Sequence, residues 1–332
     1  TAPGRIQDHL RRKSLVLDGL KVLVLDEADR MLDMGFADDM KAIISHTPRS
    51  RQTLLFSATY PDSIARISRS YQRNPATVTV DAEHQAGVIE QLFYEIKKPD
   101  RNETLLALFG HYKPRSALVF CFTKKQCDDV ASFLKGRRID ARAIHGDLEQ
   151  RERDQVLAQF ANHSCPVLVA TDVAARGLDI KSLDMVINFE LPRDPEVYVH
   201  RIGRTGRAGE TGIAVSMVTE SEHYRARAIE AYLSTPCIFD VPASLDSDSS
   251  FKLKASMATI QIDAGRKHTI RPGDLLGALT GDAGLQGTQV GKIDIFEMMS
   301  FVALEHEAVG QALAYFADGK VKGRNVRARK VR

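Results

Sequence analysis

The chain has 332 residues, 43% of them hydrophobic, and a formal net charge of +3, enough apolar material for packed cores in two or three domains at the usual ~100–200 residues each. No apolar run is long enough to span a bilayer, and no signal peptide is visible. Cys121, Cys127, Cys165 and Cys237 form neither a CxxC pair nor a zinc-spaced Cys/His cluster, and they read as buried thiols in a reducing cytosol.

In chain order, the run Val22 to Leu25 is short, β-branched and Leu-rich, as in a strand buried on both faces of a parallel sheet. It leads into Asp26, Glu27 and, one Ala later, Asp29. Ligand sites of open α/β sheets lie beyond the carboxyl ends of the strands, so carboxylates there are placed to hold Mg²⁺ on a nucleotide and to polarise a water. Further strands are predicted at 53–56, ending in Ser57-Ala58-Thr59, and at 77–80, with a helix over 62–71 behind Pro61. Ser57 and Thr59 offer hydroxyls that can bond an acidic group and report its ligand state. Three strands are a thin basis for a complete α/β domain.

Residues 81–90 read as a linker. A second α/β alternation follows, with strands at 92–96, 117–122, 141–144, 167–170, 185–189 and 213–218 and helices at 101–112, 125–134 and 150–160. This predicts a parallel, doubly wound sheet. Polar residues end one strand after another: Thr123, then His145-Gly146-Asp147, then Thr171-Asp172. The stretch 236–254, with Pro242 and LDSDSS, reads as a second linker. Beyond it come a strand at 257–262, a helix at 272–279, strands at 292–297 and 300–304, a helix at 307–317 and a strand at 325–331. That β-α-β-β-α-β order is the ferredoxin-like split unit and also the order of the four-stranded RNA-recognition module. The domains are therefore expected at 1–80, 91–235 and 255–332.

Charge is unevenly spread. Residues 254–332 carry 12 Lys+Arg against 8 Asp+Glu, and from Lys320 to Arg332 there are seven basic residues and no acidic one. A basic end on a nearly neutral body suggests a polyanionic partner. In Tyr198 to Gly209, YVHRIGRTGRAG, arginines recur at 201, 204 and 207 between glycines. Guanidinium forks suit phosphate oxygens, and glycine lets backbone approach closely. Gln150 and Arg153 share one helix face, where they can grip a sugar-phosphate backbone.

TAPGR, DEAD, SAT, the Gln150–Arg153 pair, ATDVAARGLD and HRIGRTGRAG occur in the order shown by DEAD-box RNA helicases of superfamily two, which residues 1–235 resemble. The tail, with IRPGDLLGALTGDAGL and VGKIDIF, resembles the C-terminal domain of a bacterial member acting on large-subunit ribosomal RNA. The resemblance implies two RecA-like parallel-sheet α/β domains, the first incomplete, and an RRM-like α+β domain of ferredoxin type. It implies ATP and Mg²⁺ as cofactors. Asp26 would hold Mg²⁺ through water, and Glu27 would act as general base. Asp29, Ser57, Thr59 and His200 would couple nucleotide to RNA. Arg204 and Arg207 would reach the γ-phosphate, with Gly177 and Asp179 near the nucleotide. Thr1, Gly4, Arg5, Gly146, Gln150, Arg153 and Thr171 would contact the RNA backbone.

For the tail, Arg266, Lys267, Lys292, Lys320, Lys322, Arg324 and Arg327 are the expected RNA contacts. Its two central strands offer no aromatic but Phe301, so base stacking is not expected and recognition falls to shape and phosphates. The implied role is unwinding short ribosomal RNA duplexes in large-subunit assembly, on 23S RNA and pre-50S particles, by a cytoplasmic monomer with no membrane partner. The family's P-loop, GxxxxGK[ST], lies N-terminal to TAPGR, and Gly-Lys occurs here only before Ile293 and Val321. The chain alone is thus expected not to hydrolyse ATP, the parent protein being the enzyme. A non-enzymatic RNA-binding or assembly protein, or a DNA-directed translocase of the same superfamily, are the alternatives.

Overall fold

The computed structural model describes residues 3–33, 35–57, 60, 62–79, 89–175, 183–206, 211–246, 248 and 250–331. Contacts divide the chain into two compact units, 1–82 and 83–332.

Unit 1 comprises α1 (Pro3–Arg11), β1 (Val22–Leu25), α2 (Ala28–Asp33), α3 (Ala37–Ser45), β2 (Gln52–Leu55) and α4 (Asp62–Tyr71). β1 and β2 pair in parallel, Val22 opposite Gln52 through Leu25 opposite Leu55. Leu25, Met40 and Ile44 form the core, with Leu55, Ile67 and Tyr71 packed against it. The strand expected at 77–80 is not formed at 77–79: Val78 is 84% exposed, and no neighbouring strand offers it hydrogen bonds among the described residues. Val24, at 52% exposure, likewise lacks the two-sided cover that its run suggested.

Unit 2 begins with β3 (Ile89–Glu95), α5 (Arg101–Tyr112), β4 (Ala117–Cys121), α6 (Lys124–Gly136), β5 (Ala141–Ile144) and α7 (Gln150–Ala161). It continues through β6 (Val167–Thr171), α8 (Asp172–Ala175), β7 (Met185–Asn188), α9 (Pro195–Ile202), β8 (Gly212–Val218), α10 (His223–Leu233) and β9 (Phe239–Asp240). Seven strands make one parallel sheet in the order β5-β6-β4-β7-β8-β3-β9. Helices cover both faces, so β4 and β6 are buried at every residue. Alternate residues of β4 go to opposite layers, Val119 and Cys121 beneath α5 and α6, Leu118 and Phe120 beneath α7. Each fully buried aliphatic side chain of this kind contributes about 1.5–3 kcal/mol. The segment expected as a linker at 236–254 is seated on this domain: β9 pairs with β3, and Leu253 joins the core. All four cysteines are buried, and burial pushes the Cys165 thiol up to about 12.

The tail adds β10 (Ala258–Ile262), α11 (Pro272–Gly277), β11 (Val290–Ile295), β12 (Ser300–Leu304), α12 (Val309–Asp318), β13 (Lys320–Val321), β14 (Arg324–Asn325) and β15 (Ala328–Lys330). Its antiparallel sheet runs β11-β12-β10-β15, the split order expected. The last strand is shorter than expected, because Lys322 (φ +52) and Gly323 (φ +75) turn the chain back into the small β13–β14 hairpin first. Two successive positive-φ residues are the geometry of a type I′ turn.

Both faces of the tail sheet are covered. Ile260, Ile262, Val302 and Leu304 face α11 and α12. On the other face Phe301, 0% exposed, packs with Val331 against Ala158 of α7. Asn162 Nδ2 donates to Thr259 Oγ1 at 2.9 Å, and the Ser164 hydroxyl bonds the same oxygen. The tail is thus docked on the end of α7 by its sheet face. Phe301, the one aromatic of the two central strands, is thus buried against α7 and not presented for stacking on bases.

Candidate functional site

The acidic group lies where β1 ends. Asp26 and Glu27 are exposed, while Asp29 is buried. The Ala28 N–H donates to the Phe56 carbonyl at 3.1 Å and the Asp29 N–H to Ser57 Oγ at 3.3 Å. The turn is therefore stitched to the end of β2, with the main chain of Asp29 bonded to the Ser57 hydroxyl. Glu27 sits at φ +50, and its N–H donates to Asp26 Oδ1 at 3.0 Å. A residue with a Cβ is strained there by about 1–2 kcal/mol. Glycine or asparagine would adopt that backbone at less cost, so the turn is built around the glutamate side chain. Among the described residues no three His, Cys, Asp or Glu side chains converge as a metal cage. Mg²⁺ beside nucleotide phosphates asks for only one or two carboxylates and several waters, and exposed Asp26 with Glu27 beside it fits that demand. Gly4 and Arg5 lie exposed in the first turn of α1.

In unit 2 Gly146, Gln150, Arg153 and Thr171 gather along the carboxyl edge of the large sheet, whereas the Arg204 carbonyl accepts the Leu183 N–H at 3.2 Å, at the amino end of β7. Thr123 caps α6 by accepting the Gln126 N–H at 3.1 Å. Gly146 follows β5 and is exposed, and Thr171 closes β6. Gln150 and Arg153 occupy the first turn of α7. Gln150 Nε2 donates to Asp154 Oδ1 at 2.6 Å, and Arg153 Nη2 to the Ala174 carbonyl at 2.8 Å. His200 and Arg204 are half-buried at the end of α9 and just beyond. The start of β8 lies close against the residues after α9: a Cβ on Gly212 would lie 2.4 Å from the Gly206 nitrogen. Thr1, Thr59, Gly177, Asp179 and Arg207 fall outside the described residues.

Arg201 is a correction. Its sequence spacing grouped it with the phosphate-facing arginines, yet it is 1% exposed. Nε and Nη2 grip both Asp172 oxygens at 2.7 and 2.8 Å, and Nη1 donates to Asn188 Oδ1 and the Glu190 carbonyl at 2.9 Å each. The guanidinium also lies over the Phe120 ring, 4.9 Å from its centroid. It ties the start of α8 to α9. The signal was legible, since Tyr198, Arg201 and Ile202 fall on one helix face, and both neighbours are core residues.

In the tail the basic residues divide. Lys322 of the hairpin reaches the Thr269 carbonyl and an Asp274 oxygen, both at 3.0 Å. The hairpin, with exposed Lys320 and Arg324, therefore lies beside the loop carrying Lys267 and Arg271. Arg327 joins this edge, its carbonyl accepting the Asp263 N–H at 2.9 Å. Arg266 pairs with Glu297 at 3.4 Å. Lys292 is elsewhere, on β11 at the opposite sheet edge, and pairs with Asp294 at 3.2 Å.

Three sequence profiles match: a DEAD/DEAH box helicase profile over residues 1–67, a helicase conserved C-terminal domain over 98–209 and a DbpA RNA binding domain over 259–330. The ATP-dependent RNA helicase DbpA of Escherichia coli is 49% identical over 98% of this chain, which spans 71% of that protein. The DEAD-box ATP-dependent RNA helicase CshA of Geobacillus kaustophilus is 48% identical over 69% of the chain, which spans 49% of it. Among solved structures, Saccharomyces cerevisiae Dbp5 bound to RNA and ADP BeF3 is similar with a TM-score of 0.66 at 34% identity, covering 72% of this chain and 64% of the other. No described helix is long and apolar enough to cross a membrane.

Proposed function

The chain belongs to the DEAD-box family of RNA helicases, and we propose that it is the larger part of an ATP-dependent helicase that separates short duplexes of large-subunit ribosomal RNA during subunit assembly, guided by its tail to a 23S hairpin near the peptidyl-transferase centre. The 49% identity to DbpA supports this most, because it runs through helicase and tail regions alike over 98% of the chain.

In this reading Asp26 would hold Mg²⁺, which would supply neutralisation of phosphate charge. Glu27 accepts a proton from the attacking water, and its fixed backbone positions the carboxylate in advance. Asp29 and Ser57 link that turn to the neighbouring strand end. Arg204 and Arg207 meet the γ-phosphate, while Gly146, Gln150, Arg153 and Thr171 follow the RNA backbone from the edge of the second sheet. Phosphoryl transfer of this kind needs positioning and charge more than covalent chemistry.

The GxxxxGK[ST] cradle is absent from these 332 residues. We therefore expect the purified chain, given ATP, Mg²⁺ and RNA, to release no phosphate above background in a coupled assay, and RNA-stimulated release would overturn that.

RNA targeting is tested separately. The chain should bind a labelled hairpin from the peptidyl-transferase region about tenfold more tightly than a stem-loop of unrelated sequence, a gap of about 1.4 kcal/mol. A chain ending at residue 254 should bind the two equally. Equal discrimination with and without the tail would refute the guiding role.

A further inference from the structure

Two non-glycine residues of the tail hold left-handed backbone, Thr269 at φ +60 and Lys322 at φ +52, and they touch each other. Lys322 Nζ donates to the Thr269 carbonyl and to Asp274 Oδ2, and the same Asp274 oxygen accepts the Arg271 N–H at 2.8 Å. Strained residues that meet in one contact mark a place where side-chain work outweighs backbone comfort. At Lys322 the following Gly323 already supplies one positive-φ position, and asparagine or glycine at 322 would complete the turn with less strain. What lysine adds is reach across to the other basic segment.

We propose that Lys322, Thr269 and Asp274 form a clip that fixes the RNA-facing edge of the tail, and that Lys322 is a positioning residue rather than a phosphate contact. The clip joins two short segments, the loop bearing Lys267 and Arg271 and the hairpin bearing Lys320 and Arg324. Neither belongs to the four-stranded sheet; Ile270 and Val321 root them in the core, and the clip joins them at their exposed ends, where it sets the spacing of their cations. Joined, they present charge at set spacing to a folded RNA, and the ordering is done before binding. The charge of Lys322 is matched by Asp274, which its ammonium holds below the usual carboxylate range. This rests on the reading that the tail binds RNA.

The test uses the full chain, a labelled hairpin from the peptidyl-transferase region, and affinity measured across potassium chloride concentrations. Each lost phosphate contact lowers the slope of log affinity against log salt by about one. Lys320→Ala and Arg324→Ala are expected to show that drop. Lys322→Asn keeps a turn-compatible residue and should weaken binding about tenfold with the slope unchanged. Asp274→Asn is the sharper case. It removes a negative charge from a cation-rich edge, so simple electrostatics predicts tighter binding, whereas loss of the clip predicts weaker binding. Lys322→Arg, which can still reach both acceptors, should restore most of the affinity.

Tighter or unchanged binding by Asp274→Asn, or a drop of one in the slope for Lys322→Asn, would overturn the clip. Failure of the unaltered chain to bind the hairpin, or indifference to Lys320→Ala and Arg324→Ala, would instead remove the RNA-binding edge itself. Circular dichroism of each variant confirms that the tail is folded.

Discussion

Arg201→Met is expected to lower the stability of unit 2 by about 3–5 kcal/mol, the usual loss when one partner of a buried ion pair is removed. The deletion strands Asp172 and also takes donors from Asn188 Oδ1 and the Glu190 carbonyl. Asp172 keeps 24% side-chain exposure, so water softens the loss toward the lower figure. Arg201→Lys should rescue little, because one ammonium cannot reproduce a fork that meets both carboxylate oxygens. The double variant Arg201→Met, Asp172→Leu should recover part of the loss, since replacing both partners removes the unpaired charge. Urea unfolding followed by circular dichroism reads all three. A guanidinium held ready for a phosphate would behave differently, because its removal would leave stability within about 0.5 kcal/mol.

That residue shows where reading the sequence succeeds and where it stops. Strand β4 was legible from its unbroken apolar run, and burial at every position explains why: helices cover both faces, so nothing in it alternates. The acidic turn was legible because Asp26, Glu27 and Asp29 follow such a run directly. The left-handed backbone of Glu27 was not, since a glutamate carries no local preference for that conformation. Spacing at 201, 204 and 207 suggested a common task for the arginines, but helical periodicity sends 201 inward with Tyr198 and Ile202. At 77–79 the strand expected over 77–80 had suitable residues and no partner among the described residues, and strand propensity reflects neighbours more than the chain itself. The docking of the tail on α7 was invisible. It depends on Asn162, Ser164 and Thr259, small polar residues that look like surface until they meet across nearly 100 positions. The clip was hidden similarly, because Lys322 looked like one more cation in a basic run.

Ala158→Arg is expected to split the thermal unfolding of unit 2 into two transitions. Ala158 is 3% exposed and lies between Phe301 and Val331, themselves 0% and 7% exposed. An arginine there cannot be fitted without moving the tail, and leaving its charge buried would cost more than undocking. Undocking would also break the bonds that Asn162 Nδ2 and the Ser164 hydroxyl make to Thr259 Oγ1, at about 1–3 kcal/mol for each group left unsatisfied. The unaltered seam, apolar at its centre and hydrogen-bonded beside it, should make helicase domain and tail melt together in a calorimeter. The variant should show the tail melting separately and earlier. Hairpin affinity should change by less than about twofold, a few tenths of a kcal/mol, because the clipped basic edge lies off the sheet face that the seam covers. A single transition at an unshifted temperature would mean that the contact between Phe301 and α7 contributes nothing to holding the two domains as one body.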